Sequence, residues 1–195
     1  MMAPGQLCNF LGFRSNKETV LFNYSLGISG ETVVVSIYDH IFEHVDGTRV
    51  PMSRYRGHIL LVVNVASLSA LSHQYDDLDR LYRRYGHLGF TVLAFSCSQF
   101  GWREFSSSAE IERFCRVSYQ IDFPVHKTVK VNGPDAHPIF DILKSEAPGL
   151  LGTTSIKGNF TKFLVDRDGR VLQRFGPMSS GATIAPVIAE RLGLS

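Results

Sequence analysis

Residues 58–65, HILLVVNV, form a nearly unbroken apolar run, and residues 90–95, FTVLAF, form a second. Runs of this length without polar alternation suit strands buried on both faces of a sheet. Between them Leu71, Tyr75, Leu78, Leu81, Tyr82 and Tyr85 recur at intervals of three and four. That spacing predicts a helix over about 70–85 with one apolar face, ended by Gly86 and Gly89. Two strands buried on both faces, joined by a one-sided helix, make a strand–helix–strand unit with a right-handed crossover.

The rest of the chain extends this unit. VVVSIY, 33–38, is rich in β-branched residues and predicts a strand. Asp46-Gly47 marks a tight turn before a short strand near Arg49–Val50, giving an N-terminal β-hairpin. A second helix is expected over 109–119, with Ser108 as N-cap and Ile111, Phe114, Cys115 and Ser118 on one face. NGPDAHP is a turn, followed by a short helix near 136–145. Residues 161–175 predict a hairpin turning at Asp166–Gly169, and 182–192 a C-terminal helix. The order β-β-β-α-β-α-α-β-β-α implies an α/β three-layer sandwich with helices on both faces of a central mixed sheet. The loops near 66–70 and 96–105 then meet beyond the strand ends, where open α/β sheets place their ligands and chemistry.

Composition narrows the function classes. The formal net charge is +2, from 20 basic and 18 acidic residues, too balanced to indicate a nucleic-acid surface. No apolar run approaches the roughly 18 residues of a membrane span. Cys8, Cys97 and Cys115 lie far apart, with no CxxC and no zinc-like spacing, which points to reduced thiols in an intracellular compartment. Residues 1–32 lack periodicity and carry only Arg14 and Lys17 as basic residues, so neither a secretory leader nor an Arg-rich transit peptide is indicated. An extension without a core of its own frays unless something holds it, so residues 1–32 are expected to dock on a partner, with one domain over 33–195.

Several residues are candidates for chemistry. Ser69 stands where the first helix begins, and His73 lies one helical turn on. A serine nucleophile needs a base within reach and a group to orient it, whereas a serine at a helix start is more simply an N-cap. Trp102 and Arg103 offer a stacking surface and an anion contact. Asp135 with His137, Asp166 with Asp168, and the trio His40, His44 and His58 do not form a metal-ligand pattern, and turns account for them. No metal and no cofactor are expected.

Four segments carry a resemblance. NVAS (64–67), LAFSCSQFG (93–101), VNGPDAHP (131–138) and NFTKFLVDRDG (159–169) resemble the glutathione peroxidase family, in order and at the right intervals, over about Val33 to Leu192. The resemblance implies a thioredoxin-like fold. The short connection PGLLGTTSIKGNF (148–160) is similar to the compact, monomeric branch of the family. It also implies a catalytic set of a peroxidatic Cys or selenocysteine two residues after NVAS, a Gln, a Trp and an Asn. Here the first position holds Ser69, the second Arg103 and the third Gly158, and only Asn159 matches. A peroxidatic thiolate becomes a sulfenic acid, and serine has no such oxidation state. Near the position of a resolving Cys in thioredoxin-dependent members lies Cys115, and Cys97 follows the second apolar strand.

Two functions follow from this reading. The first is a catalytically inactive member, kept as a structural or interaction subunit of a larger assembly and bound through the N-terminal extension. The compartment would be cytoplasmic, cytoskeletal or mitochondrial. The alternative is a thiol-dependent peroxidase or oxidoreductase with relocated chemistry at Cys97 or Cys115, drawing on glutathione or a thioredoxin-like reductant. The sequence reading leans toward the first.

Overall fold

The computed structural model describes residues 36–101 and 103–194. The two apolar runs become β3 (Ile59–Val65) and β4 (Phe90–Ser96), which pair in parallel from Ile59 opposite Phe90 to Val65 opposite Ser96. Every residue of both strands is buried. The five-stranded sheet has the order β5-β4-β3-β6-β7, with β5 (Val125–His126), β6 (Lys162–Val165) and β7 (Val171–Phe175). β4 and β5 are parallel, while β6 runs antiparallel to both β3 and β7. A separate hairpin, β1 (Ile41–Glu43) and β2 (Arg49–Pro51), stands beside it.

Side-chain alternation sends each strand's residues to opposite layers. On one face Leu61, Val63, Val92 and Ala94 pack against Tyr75, Leu78 and Leu81 of α1 (Gln74–Tyr85), Ile184 and Ile188 of α4 (Gly181–Leu192), and Ile111 and Cys115 of α2 (Ser108–Ser118). On the other, Leu60, Val62, Leu93, Phe95 and Cys97 pack against Ile139, Phe140 and Leu143 of α3 (Pro138–Glu146), with Phe42 and Val50 of the hairpin. This is the three-layer thioredoxin-like sandwich.

Local chemistry sets the element ends. α1 stops at Gly86, and Gly89 adopts φ 88° before β4. α3 begins with Pro138 in its first turn, behind His137 at the cap. α2 is capped by Ser107, not Ser108: the Ser107 hydroxyl accepts from the Glu110 N–H at 3.2 Å. Any serine of the run 106–108 can cap, and the apolar face of Ile111 and Cys115 selects this register.

The strand expected over 33–38 does not form in its described part. Residues 33–35 lie outside the described residues, and Ile37–Asp39 is a 3-10 turn. Ser36 accepts from the Tyr38 N–H at 3.2 Å while the Asp39 carboxylate accepts from the Ser36 N–H at 2.9 Å. This reciprocal capping overrides the strand preference of Ile37 and Tyr38. The expected extension, 1–32, and its expected docking also lie outside the described residues. Among the described residues no helix is long and apolar enough to cross a membrane.

Candidate functional site

The carboxyl end of β3 gathers the two loops that the sequence places together. Asn64 is buried, and residues 158–161 saturate it. Its amide donates to the Gly158 carbonyl at 3.2 Å and reaches Asn159 Oδ1 at 3.5 Å, while its Oδ1 accepts from the Thr161 N–H at 3.2 Å. Its backbone carbonyl accepts from Phe160 at 2.6 Å. Phe160 holds φ 61°, outside the usual range for a side-chain-bearing residue, and its buried ring packs edge-on against Tyr75 at 5.4 Å.

On the other side, the Ser67 N–H donates to both oxygens of Glu104 at 3.2 Å, and the Leu68 N–H donates to the Arg103 carbonyl at 2.8 Å. Glu104 accepts further from Ser96 Oγ at 3.0 Å and the Phe105 N–H at 3.0 Å. This carboxylate ties β3, β4 and the 97–107 loop together. The sequence reading did not single it out: one acid in an aperiodic loop carries no local signal.

Ser69 is not a helix cap. It lies in a turn five residues before α1, where its hydroxyl accepts from the Leu71 N–H at 3.2 Å. The turn 66–73 closes through Ser69 N–H to Ala66 O at 3.2 Å and Ser72 N–H to Ser69 O at 3.0 Å. Short Ser-rich segments make such turns because the hydroxyl competes for nearby backbone groups. His73 is exposed, and its ring makes no hydrogen bond to Ser69. Arg103 contributes its carbonyl, while its guanidinium lies out in solvent near Gly101. A side chain at Gly158 would first meet Pro177 Cγ, at 3.5 Å. Ser69 and Arg103 are tied to the segment after β3 through backbone contacts, and Gly158 and Asn159 to Asn64 through its side-chain amide, with no hydrogen bond linking the side chains of the four to one another. Trp102 lies outside the described residues, as does Cys8.

The two described thiols differ in surroundings. Cys97 is wholly buried at the end of β4, and burial raises its pKa against backbone N–H contacts from Gln99 and Val131. Cys115 is buried on α2, and burial pushes its thiol up to about 12. Glu104 raises it further, while the Tyr75 phenol and Arg116 pull it down. Tyr75, buried between the Cys115 thiol and the Ser67 hydroxyl, and Ser67 itself have oxygen atoms without an aligned partner. Cys115 also lies in the wall of a groove of about 440 Å³ between the turn of the β1–β2 hairpin, α2 and the start of β5. Arg54, Tyr82 and Arg116 share that wall.

Among the described residues no group of three or more His, Cys, Asp or Glu is arranged to hold a metal ion. Asp135 pairs with Lys130 at 2.7 Å, and Asp166 Oδ1 accepts from the N–H groups of Asp168 and Arg170 at 2.9 Å each, which makes DRDG a turn. His58 stands apart, 3.4 Å from the Arg56 carbonyl. His40 and His44 instead gather with His126 and His137, an arrangement that no spacing in the sequence reveals.

A family model described as glutathione peroxidase matches residues 37–144. A hydroperoxy fatty acid reductase of Synechocystis sp. is 43% identical over 162 residues, covering 80% of this chain and 96% of that protein. A glutathione peroxidase-like peroxiredoxin of Saccharomyces cerevisiae is 40% identical over 146 residues, covering 75% of this chain and 90% of that protein. The crystal structure of T. cruzi GPX1 superposes with a TM-score of 0.68 at 38% identity, covering 82% of this chain and 97% of that one. A thioredoxin-family thiol:disulfide interchange protein of Chlorobium tepidum, 17% identical with a TM-score of 0.59, shares the fold.

These relatives correct the expectation of an inactive structural subunit. Proteins 40–43% identical over 73–80% of the chain carry the names of reductases, peroxidases and peroxiredoxins, and none of these names points to a structural role. The replacements at 69, 103 and 158 are changes within a chain that is about 40% identical to these proteins over 73–80% of its length. By its matching model, its relatives and its sheet, this chain belongs to the glutathione peroxidase family.

Proposed function

We propose that this chain is a thiol-dependent oxidoreductase that reduces hydroperoxides, with Cys115 as its redox thiol. The observation that carries the assignment to this residue is its place in the wall of the groove, which Cys97 does not line. The class of reaction is that of the relatives, whose names include a hydroperoxy fatty acid reductase and a peroxiredoxin.

The chemistry is a two-electron exchange. The Cys115 thiolate attacks one peroxide oxygen, the O–O bond breaks, and the leaving alkoxide takes a proton to become an alcohol. The sulfur is then a sulfenic acid. One reductant thiol condenses with it, releasing water and forming a mixed disulfide, and a second thiol frees Cys115 and departs as a disulfide. Glutathione or a thioredoxin-like dithiol serves as reductant. Within the protein the Tyr75 phenol and Arg116 favour the thiolate, and Glu104 opposes it.

Because burial keeps the thiol protonated at neutral pH, the rate follows the thiolate fraction. Turnover is slow at neutral pH and rises about tenfold per pH unit in the alkaline range. The test is peroxide consumption by the purified chain with glutathione or a thioredoxin system, in wild type, Cys115→Ser and Cys97→Ala. The expected result is turnover above the protein-free control that disappears in Cys115→Ser and survives in Cys97→Ala. Turnover that persists in Cys115→Ser, or is absent from wild type with both reductants across that pH range, overturns the proposal.

A further inference from the structure

Four of the seven histidines meet where the β1–β2 hairpin lies against the edge of the sheet. His126, on the edge strand β5, is the centre. Its ring is fully buried, stacked between His44 of the hairpin turn at 4.6 Å and Phe95 of β4 at 4.5 Å, with Phe42 of β1 edge-on at 4.8 Å. His126 Nδ1 donates to the Ala94 carbonyl at 3.0 Å, so its Nε2 carries the lone pair of the neutral ring. Among the described residues that buried Nε2 has no partner, nor has Nε2 of His40, just before β1. His40 lies 6.3 Å from His137, whose Nδ1 accepts from the Ile139 N–H at the start of α3.

The same place joins the hairpin to the sheet. His44 forms a bridge with His126, the Val45 N–H donates to the Val125 carbonyl at 3.2 Å, and the Lys127 N–H donates to the Glu43 carbonyl at 2.8 Å. His44 Nδ1 donates to the Val125 carbonyl at 3.3 Å, and Glu43 pairs with Lys127. Beyond this seam, His44, Val45 and Asp46 form the wall of the groove that Cys115 shares. The hairpin turn therefore both rests on His126 and lines the same groove as Cys115.

We propose that the histidine cluster is an acid-sensitive latch: protonation releases the β1–β2 hairpin from the sheet edge and widens the groove that Cys115 lines. The physical ground is that, among the described residues, no carboxylate faces His126. The charged or titratable groups around it are His44 from the hairpin and His137 from α3, and both oppose a positive charge there. Asp39 faces His40, and Asp141 and His40 face His137. The Glu43–Lys127 pair is already self-neutralised. Burial lowers the pKa of His40 and His137, and brings that of His126 down to about 3.

The sign follows from linkage. An opened hairpin returns these rings to water and a pKa near 6.5. Between that value and the closed-state value the open form binds protons that the closed form does not, so acid favours opening, by up to tenfold per pH unit for each histidine. The readout is access to Cys115, and the latch stands or falls independently of whether this thiol turns over peroxide.

The test uses the full chain. A dithiodipyridine, which reacts with thiols in acid, is pulsed from about pH 7.5 to about pH 4.5, a range that brackets the histidine pKa. Labelled sites are mapped by mass spectrometry, alongside amide hydrogen exchange corrected for its intrinsic pH dependence. The expected result is that Cys115 labelling, relative to a small free thiol, rises about tenfold or more over this range. Exchange in 41–50 accelerates with it, while β3 and β4 stay protected. His126→Phe, which keeps a stacked ring without a titrating nitrogen, flattens the response. Labelling that stays flat in wild type overturns the latch, as does loss of β3 and β4 protection in step with the hairpin. A pH response that persists unchanged in folded His126→Phe also overturns it.

Discussion

At the scale of single residues, Ser69 shows how position and role separate. It stands where the sequence resemblance implies a peroxidatic residue, yet its hydroxyl is used as an acceptor for the Leu71 N–H. Ser69→Ala removes that acceptor and leaves a partly buried N–H to find water, a cost of about 0.5–1.5 kcal/mol. Urea unfolding is expected to show this loss, with peroxide turnover at the wild-type rate; abolished turnover in a folded Ser69→Ala would make the serine catalytic. The positions 69, 103, 158 and 159 were legible because the motifs around them are contiguous in sequence. Glu104, Tyr75 and His126 were not, because each acquires its role from partners distant in the chain: Ser67 and Ser96 for Glu104, Cys115 for Tyr75, His44 and Phe95 for His126.

At the scale of elements, long buried strands and one-sided helices could be read directly, since β3 and β4 each carry a nearly unbroken apolar run, and α1 a periodicity, over about seven residues or more. Short elements could not. β5 has two residues and exists because its neighbour β4 offers an edge, and the 3-10 turn at 37–39 exists because Ser36 and Asp39 cap each other. The β6–β7 turn gives this dependence a measurable form. Gly169 has φ 88°, and a Cβ there would lie 2.6 Å from Tyr38 Cε2. Tyr38 is pinned beneath it by a 3.1 Å hydrogen bond from its phenol to the Arg167 carbonyl and by the Arg56 guanidinium, 4.3 Å from its ring centre. Gly57, with φ 80°, has nothing within 4 Å of the same position. Gly169→Ala is therefore expected to cost about 2–3 kcal/mol, from both strain and displacement of Tyr38. Gly57→Ala costs about 1 kcal/mol from the backbone alone. Thermal unfolding of the two variants checks the difference, and equal losses would show that Tyr38 gives way freely.

At the scale of the whole molecule, one buried ammonium joins three elements. Lys162, the first residue of β6, donates to Gln74 Oε1 at the start of α1 and to the carbonyls of Ser179 at 2.9 Å and Pro177 at 3.3 Å, in the loop that leads into α4. Gln74 also donates to the Pro177 carbonyl at 2.8 Å, and the Asp77 carboxylate accepts from the first N–H of α4 at 2.9 Å. Among the described residues no carboxylate pairs with Lys162, and burial brings its pKa down to about 8, with Asp77 opposing that shift. In the unfolded chain the ammonium returns to its ordinary value near 10.4. Between these values the unfolded chain holds a proton that the native one has released, so native stability rises as pH climbs through that window. Below pH 8 both states are charged and the cost of burying the charge is carried in full. The gain has an upper bound of about 3 kcal/mol. Lys162→Met removes the titrating group, so subtracting its stability from that of wild type cancels the tyrosines and other groups common to both. Urea midpoints from about pH 7.5 to about pH 10 are expected to show this difference growing in favour of wild type, toward that bound. A difference that stays constant would mean that Lys162 keeps its charge throughout, with the carbonyls of the 177–179 loop solvating it as well as water does.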